Sequence, residues 1–75
     1  MNSAQEISEI IISLLKTEKI STNRMLSEIG LHSNMINDMK KGSMPSADKL
    51  GLIAEYFNIS VDYLLGRTDN PKVNK

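Results

Sequence analysis

The chain has 75 residues, no cysteine and a formal net charge of zero, with nine basic residues against nine acidic ones. That length leaves room for one domain burying roughly 60% of the surface its unfolded chain exposes, and the lack of cysteine excludes a disulfide framework or a thiolate metal site, which fits a reducing cytoplasm. No apolar run approaches the ~18 residues that span a bilayer, and the start lacks the basic region and cleavage site of a signal peptide, so the sequence reads as soluble, unprocessed and without a membrane partner.

Ile7, Ile10, Ile11, Leu14 and Leu15 recur at the spacing that lines one face of a helix. Ser3 followed by Glu6 is a capping-box pair, in which serine and glutamate each satisfy an amide left over at the helix start, so the first helix is expected over residues 4–19. Ser21 caps a second helix, with Ile20 and Met25 as a hydrophobic staple across the cap. Gly30 then supplies a left-handed residue that confines this helix to residues 22–29.

The staple pattern recurs between Leu31 and Ile36 about a cap at His32, and Gly42 closes a third helix after Lys41. Pro45 and Ser46 introduce a fourth, with the stripe Leu50, Ile53, Ala54 and Phe57 and a left-handed end at Asn58. Ser60, between Ile59 and Leu64, caps a single-turn fifth helix that stops at Gly66. No strand pattern competes, so the expected fold is all-α, a compact five-helix domain over residues 1–67. The polar, aperiodic residues 68–75 are expected to form a flexible tail or linker.

The second and third helices with their glycine turn, residues 21–41, make a unit of two short helices joined by a tight bend. Such a unit lets one helix brace across a DNA backbone while the other enters the major groove, although short helices joined at glycine also occur in bundles that never meet nucleic acid. Charge is mildly segregated in its favour. Residues 16–49 carry six basic side chains against four acidic ones, whereas residues 1–15 hold only Glu6 and Glu9 and residues 50–65 only Glu55 and Asp62.

At about 100° per residue, Ile36 and Met39 point inward with His32 nearby, and Asn34, Asn37, Asp38 and Lys41 point away. Asparagine pairs with adenine through two hydrogen bonds, aspartate accepts from the cytosine amino group, and serine bonds to several base edges, so Ser33, Asn34, Asn37 and Asp38 form a base-reading set. The bland alternative is a solvated polar face. Thr22, Asn23 and the amides beginning the second helix offer donors to phosphate. Lys40, Lys41 and Ser43 do so at the far end of the third, where the lysines also complement the helix dipole.

The run from Ile20 to Thr68 resembles the helix-turn-helix domain of the phage repressor and Cro class, the xenobiotic-response-element (XRE) family of bacterial transcriptional regulators, and the likeness spans residues 7–68. Its carriers are Gly30 followed by an aliphatic residue, Ile36 and Gly42 in register, Pro45-Ser46, and the closing ISVDYLLG. The resemblance implies a lambda-repressor-like fold and a double-stranded DNA operator, pseudo-palindromic and bound by a homodimer, with repression of transcription as the outcome and no cofactor. It assigns a backbone or outer-base contact to Thr22, base reading to Ser33, Asn34, Asn37 and Asp38, and phosphate contacts to Lys40, Lys41 and Ser43.

The chain departs from the family pattern at three places. Thr22 lacks the reach of the usual glutamine, Leu26 stands where a small alanine is common and would require a small shift between helices two and three, and Lys40 replaces a frequent glutamate. Asp38 on the reading face repels phosphate unless it meets a cytosine.

His32 is the sole histidine and has no ligand partners at metal-binding spacing, so it reads as a cap or turn residue and no metal site is expected. No nucleophile has a base partner fixed by a motif and no phosphate-binding glycine loop is present, which argues against an enzyme. Met25 and Met39 fall at core spacing. Ile12, Leu52, Tyr56 and Tyr63 lie off the main apolar stripes. They are candidates for extra apolar surface, with Leu52, Tyr56 and Tyr63 marking a dimer contact through helices four and five, against ordinary packing on a neighbouring helix. Gly51 marks either a close helix approach or nothing. Zero net charge and Asp38 favour an alternative on the same scaffold: a protein-interaction module, antitoxin-like or regulator-binding.

Overall fold

The computed structural model describes residues 2–70. Five helices follow one another: α1 (Ala4–Glu18), α2 (Thr22–Glu28), α3 (Met35–Lys40), α4 (Ala47–Phe57) and α5 (Val61–Leu65), and no strand occurs among the described residues. The all-α, five-helix expectation is met.

Serine caps set most of the boundaries. At α1, Ser3 Oγ accepts from the Glu6 amide at 3.2 Å and Glu6 Oε1 accepts from the Ser3 amide at 3.0 Å, completing the capping box. These bonds hold the Glu6 carboxyl below the usual glutamate range, the backbone bond from Ser3 contributing most. Ser21 Oγ accepts from the Arg24 amide and Ser60 Oγ from the Tyr63 amide in the same manner at α2 and α5. Asn58 and Gly66 end α4 and α5 in the left-handed conformation, as read from the sequence.

The second and third helices end one residue earlier than expected, at Glu28 and Lys40, and two further boundaries differ in kind. Lys19, expected as the last residue of the first helix, is its left-handed C-cap at φ 57°, a conformation uncommon for a residue bearing a Cβ; the following Ile20 amide donates back to the Leu15 carbonyl at 3.0 Å. The third helix starts at Met35, later than a cap at His32 implies. His32, Ser33 and Asn34 form a turn closed by the Met35 amide on the His32 carbonyl at 3.3 Å, and Asn34, at φ −89° and ψ 0°, makes no side-chain cap bond. Position 32 carries imidazole where a short hydroxyl or carboxylate would reach the first amides, and the helix starts instead where Met35 is buried.

The core joins Ala4, Ile7, Ile11 and Leu15 of α1 to Met25 and Leu26 of α2, Met35, Ile36 and Met39 of α3, Leu50, Ile53 and Ala54 of α4, and Ile59 and Leu64. Each fully buried aliphatic side chain is worth roughly 1.5–3 kcal/mol, so α1, which lies against α3 and α5, organises the domain. Met25 and Met39 are core, as expected, and Ile12 is partly buried against it. Ser8, a polar residue within this core, donates to the Gln5 carbonyl at 2.6 Å and is thereby satisfied.

Asn2 closes the domain. Its amide donates to the Leu65 carbonyl at 2.7 Å and its Nδ2 to the Leu64 carbonyl at 3.1 Å, so the first turn of the chain completes the end of α5. Gly66 is required there twice over: its φ is 77°, and a Cβ would fall 2.7 Å from Asn2 Oδ1. Gly51, by contrast, has nothing within 4 Å of a built Cβ and an ordinary φ, so no close helix approach explains it. Of the expected tail, residues 68–70 lie outside any helix and residues 71–75 lie outside the described residues.

Candidate nucleic-acid interface

The α2–α3 unit is fixed from inside. Met25, Leu26, Met35, Ile36 and Met39 are all buried, and the turn between the helices is pinned by the Leu31 amide on the Leu26 carbonyl at 2.8 Å with Gly30 at φ 73°. Leu26, with 1% of its surface exposed, is accommodated within the core where alanine is common. Met35 joins the inner face although the sequence reading placed only Ile36 and Met39 there.

The opposite side carries the polar residues. Ser33 and Asn34 precede α3 in the turn rather than forming part of the helix, Asn37 lies on its outer face, and all three are exposed. Lys40, Lys41 and Ser43 follow at its far end, also exposed, and the Ser43 amide donates to the Asp38 carbonyl at 2.9 Å. At α2, Asn23 is exposed and Thr22 half-buried. The structure thus brings Asn34, Asn37 and the two lysines together on one side of a short helix whose other side is core.

Asp38 differs from its neighbours. It is half-buried, and His32 Nε2 stands 3.9 Å from its Oδ2 across a cleft of about 250 Å³ lined also by Met39, Met44, Ser46 and Lys49. Lys49, one turn into α4, and the exposed Met44 were not singled out from the sequence. Lys49 precedes Leu50 of the buried stripe, a position that could have marked it. The Ser46 hydroxyl donates to Asp48 rather than capping α4, and this bond is the main reason the Asp48 carboxyl lies below its ordinary range.

Arg24 and Glu28 form an i,i+4 ion pair on α2 at 3.2 Å, a spacing visible in the sequence. Glu28 Oε2 accepts in turn from the Tyr56 hydroxyl, tying α4 to α2. The Tyr56 bond first and Arg24 second hold the Glu28 carboxyl below the usual glutamate range, and the same bond raises the Tyr56 phenol. Of the suggested contact residues Leu52, Tyr56 and Tyr63, Leu52 is exposed and both tyrosines are half-buried. No three His, Asp or Glu side chains cluster as a metal site among the described residues, and no helix there is long and apolar enough to cross a membrane.

A family model described as helix-turn-helix matches residues 13–64, more than half of the chain. The chain is also similar to an uncharacterized HTH-type transcriptional regulator, YobD, of Bacillus subtilis strain 168, at 34% identity over 59 residues, which is 77% of this chain and 53% of the relative. The chain therefore spans about half the length of that relative. No solved structure matches it.

Proposed function

Because the chain belongs to the helix-turn-helix family, as a DNA-binding domain and not an enzyme, we propose that it reads an operator through the major groove with α3 and represses transcription. The observation that carries this reading is the divided surface of α3: Met35, Ile36 and Met39 are buried while Asn34 and Asn37 are exposed, and Asn34 spends no side-chain bond on capping. Short amides held on a rigid backbone suit two-bond pairing with adenine. Ser33, Asn34, Asn37 and Asp38 are assigned to bases, and Thr22, Asn23, Lys40, Lys41 and Ser43 to the DNA backbone.

The same reading makes the protein a homodimer on a pseudo-palindromic site, with Leu52, Tyr56 and Tyr63 as contact residues, working in the cytoplasm where its DNA lies. Leu52 supports a contact surface by its 38% exposure. The test is selection from random duplexes over a salt series, with Asn34→Ala, Asn37→Ala run beside the unaltered protein. A palindromic site whose affinity falls steeply with salt, and whose preference the double variant loses, is the expected result. Enrichment of no sequence at low salt overturns operator reading and leaves protein interaction, favoured by zero net charge, as the use of this surface.

A further inference from the structure

Asp38 is the one acidic residue of α3, on the side proposed to face a polyanion. Its backbone cannot drift. Its amide donates to the Asn34 carbonyl at 2.9 Å, and its carbonyl accepts from the Lys41 and Ser43 amides at 3.1 and 2.9 Å. His32 is placed by its own carbonyl, which closes the turn onto Met35. From these two fixed backbone positions Nε2 and Oδ2 stand 3.9 Å apart, both side chains about half exposed at 56% and 47%. The charged groups facing His32 across the cleft are Asp38 of α3 and Lys49 of α4.

At this separation a neutral imidazole offers the carboxylate little, being beyond hydrogen-bond length, whereas an imidazolium attracts it directly. Histidine is the side chain type that switches charge most readily under ordinary solution conditions, and only its charged form gives the pair this attraction. Asp38 Oδ1 has no partner among the described residues and remains available as an acceptor.

Resting on the operator reading above, we propose that His32 is a positioning residue for base recognition: when protonated it holds Asp38 and offsets its repulsion of phosphate, so that the carboxylate accepts from a cytosine amino group. Discrimination at that base pair then depends on pH. The base identity comes from Asp38; the pH dependence comes from His32. Both residues sit outside the core, so their substitution leaves the packing intact.

The experiment uses the operator recovered by selection and a second duplex in which the base pair whose preference is lost in Asp38→Asn is replaced. Affinity for both is measured at pH 8 and pH 5.5 for the unaltered protein, His32→Asn, His32→Gln and Asp38→Asn, with thermal unfolding confirming that each variant is folded. The ratio of the two affinities cancels any pH effect shared by both duplexes. The expected result is a cytosine preference that grows about three-fold on acidification, the order set by an exposed ion pair, is flat in both His32 variants and is absent in Asp38→Asn. A ratio that responds to pH equally in the His32 variants, or equal tightening on both duplexes, overturns the proposal alone, the latter showing His32 to be a plain cation near phosphate. An operator with no preference traceable to Asp38 also overturns it alone. Failure to recover any operator overturns the operator reading and this proposal together.

Discussion

Two helix starts in this domain are built in opposite ways. α1 begins on a complete capping box, in which Ser3 and Glu6 satisfy each other's amides. α3 begins on Asn34, outside the extended conformation and with no side-chain bond to the helix it precedes. The first helix is therefore stabilised locally, by neighbours in sequence, while the third depends on the burial of Met35, Ile36 and Met39 against α1. A surface built for binding keeps its donors and amides uncommitted, and long-range packing has to supply what the cap does not.

The contrast is open to test, and its sharpest break comes from the core. Ile36→Ala removes buried aliphatic volume from the packing that supports α3, and is expected to cost about 2–5 kcal/mol in urea or thermal unfolding, enough to unfold much of a domain this small. Ser21→Ala, which deletes the cap that receives the Arg24 amide, is expected to cost about 1 kcal/mol by the same measurement. Gly51→Ala moves the other way. With open space around the built Cβ it should raise stability by about 0.5–1 kcal/mol, and a loss instead would reveal a contact made by that face of α4.

Asn34→Ala sharpens the comparison most narrowly. With no cap bond to lose, stability should stay within about 0.5 kcal/mol of the unaltered protein while operator affinity falls; a cost as large as that of Ser21→Ala would mean that Asn34 caps α3 after all. The smallest effect is expected at Glu28. Its carboxyl lies below the ordinary range chiefly through Tyr56, so its contribution is present above the normal glutamate range and is lost as pH falls through the lowered value. Tyr56→Phe should therefore lower stability slightly at neutral pH, where the bond contributes, leave it unchanged well below pH ~4.5 where the carboxyl is protonated, and so flatten the acid limb of the profile.

The sequence was most legible where one residue type does one physical job. Serines followed by amides at the right spacing located α1, α2 and α5, and Asn58 and Gly66 marked left-handed ends, because short hydroxyls and a missing Cβ leave few alternatives. It was least legible where tertiary packing decides. Lys19 adopts a left-handed conformation that its side chain does not favour, since the turn into α2 requires it and the Ile20 amide reaches back to Leu15. The staple between Leu31 and Ile36 made His32 read as a cap, whereas the burial of Met35 starts the helix later. The outward set of α3 could be read from periodicity, but His32 beside Asp38 could not: that distance depends on the shape of a turn, and the sequence carries no signal for it.

The bond from Asn2 to α5 joins residues 62 positions apart. Such a contact gains nothing until the intervening helices are in place, because the entropy of closing so long a loop must first be offset by packing. It is therefore a late event in assembly and an early one in opening. The Asn2 amide, timed by hydrogen exchange against those in the middle of α1, reports whether the ring of helices is shut at both ends or is breathing at its seam.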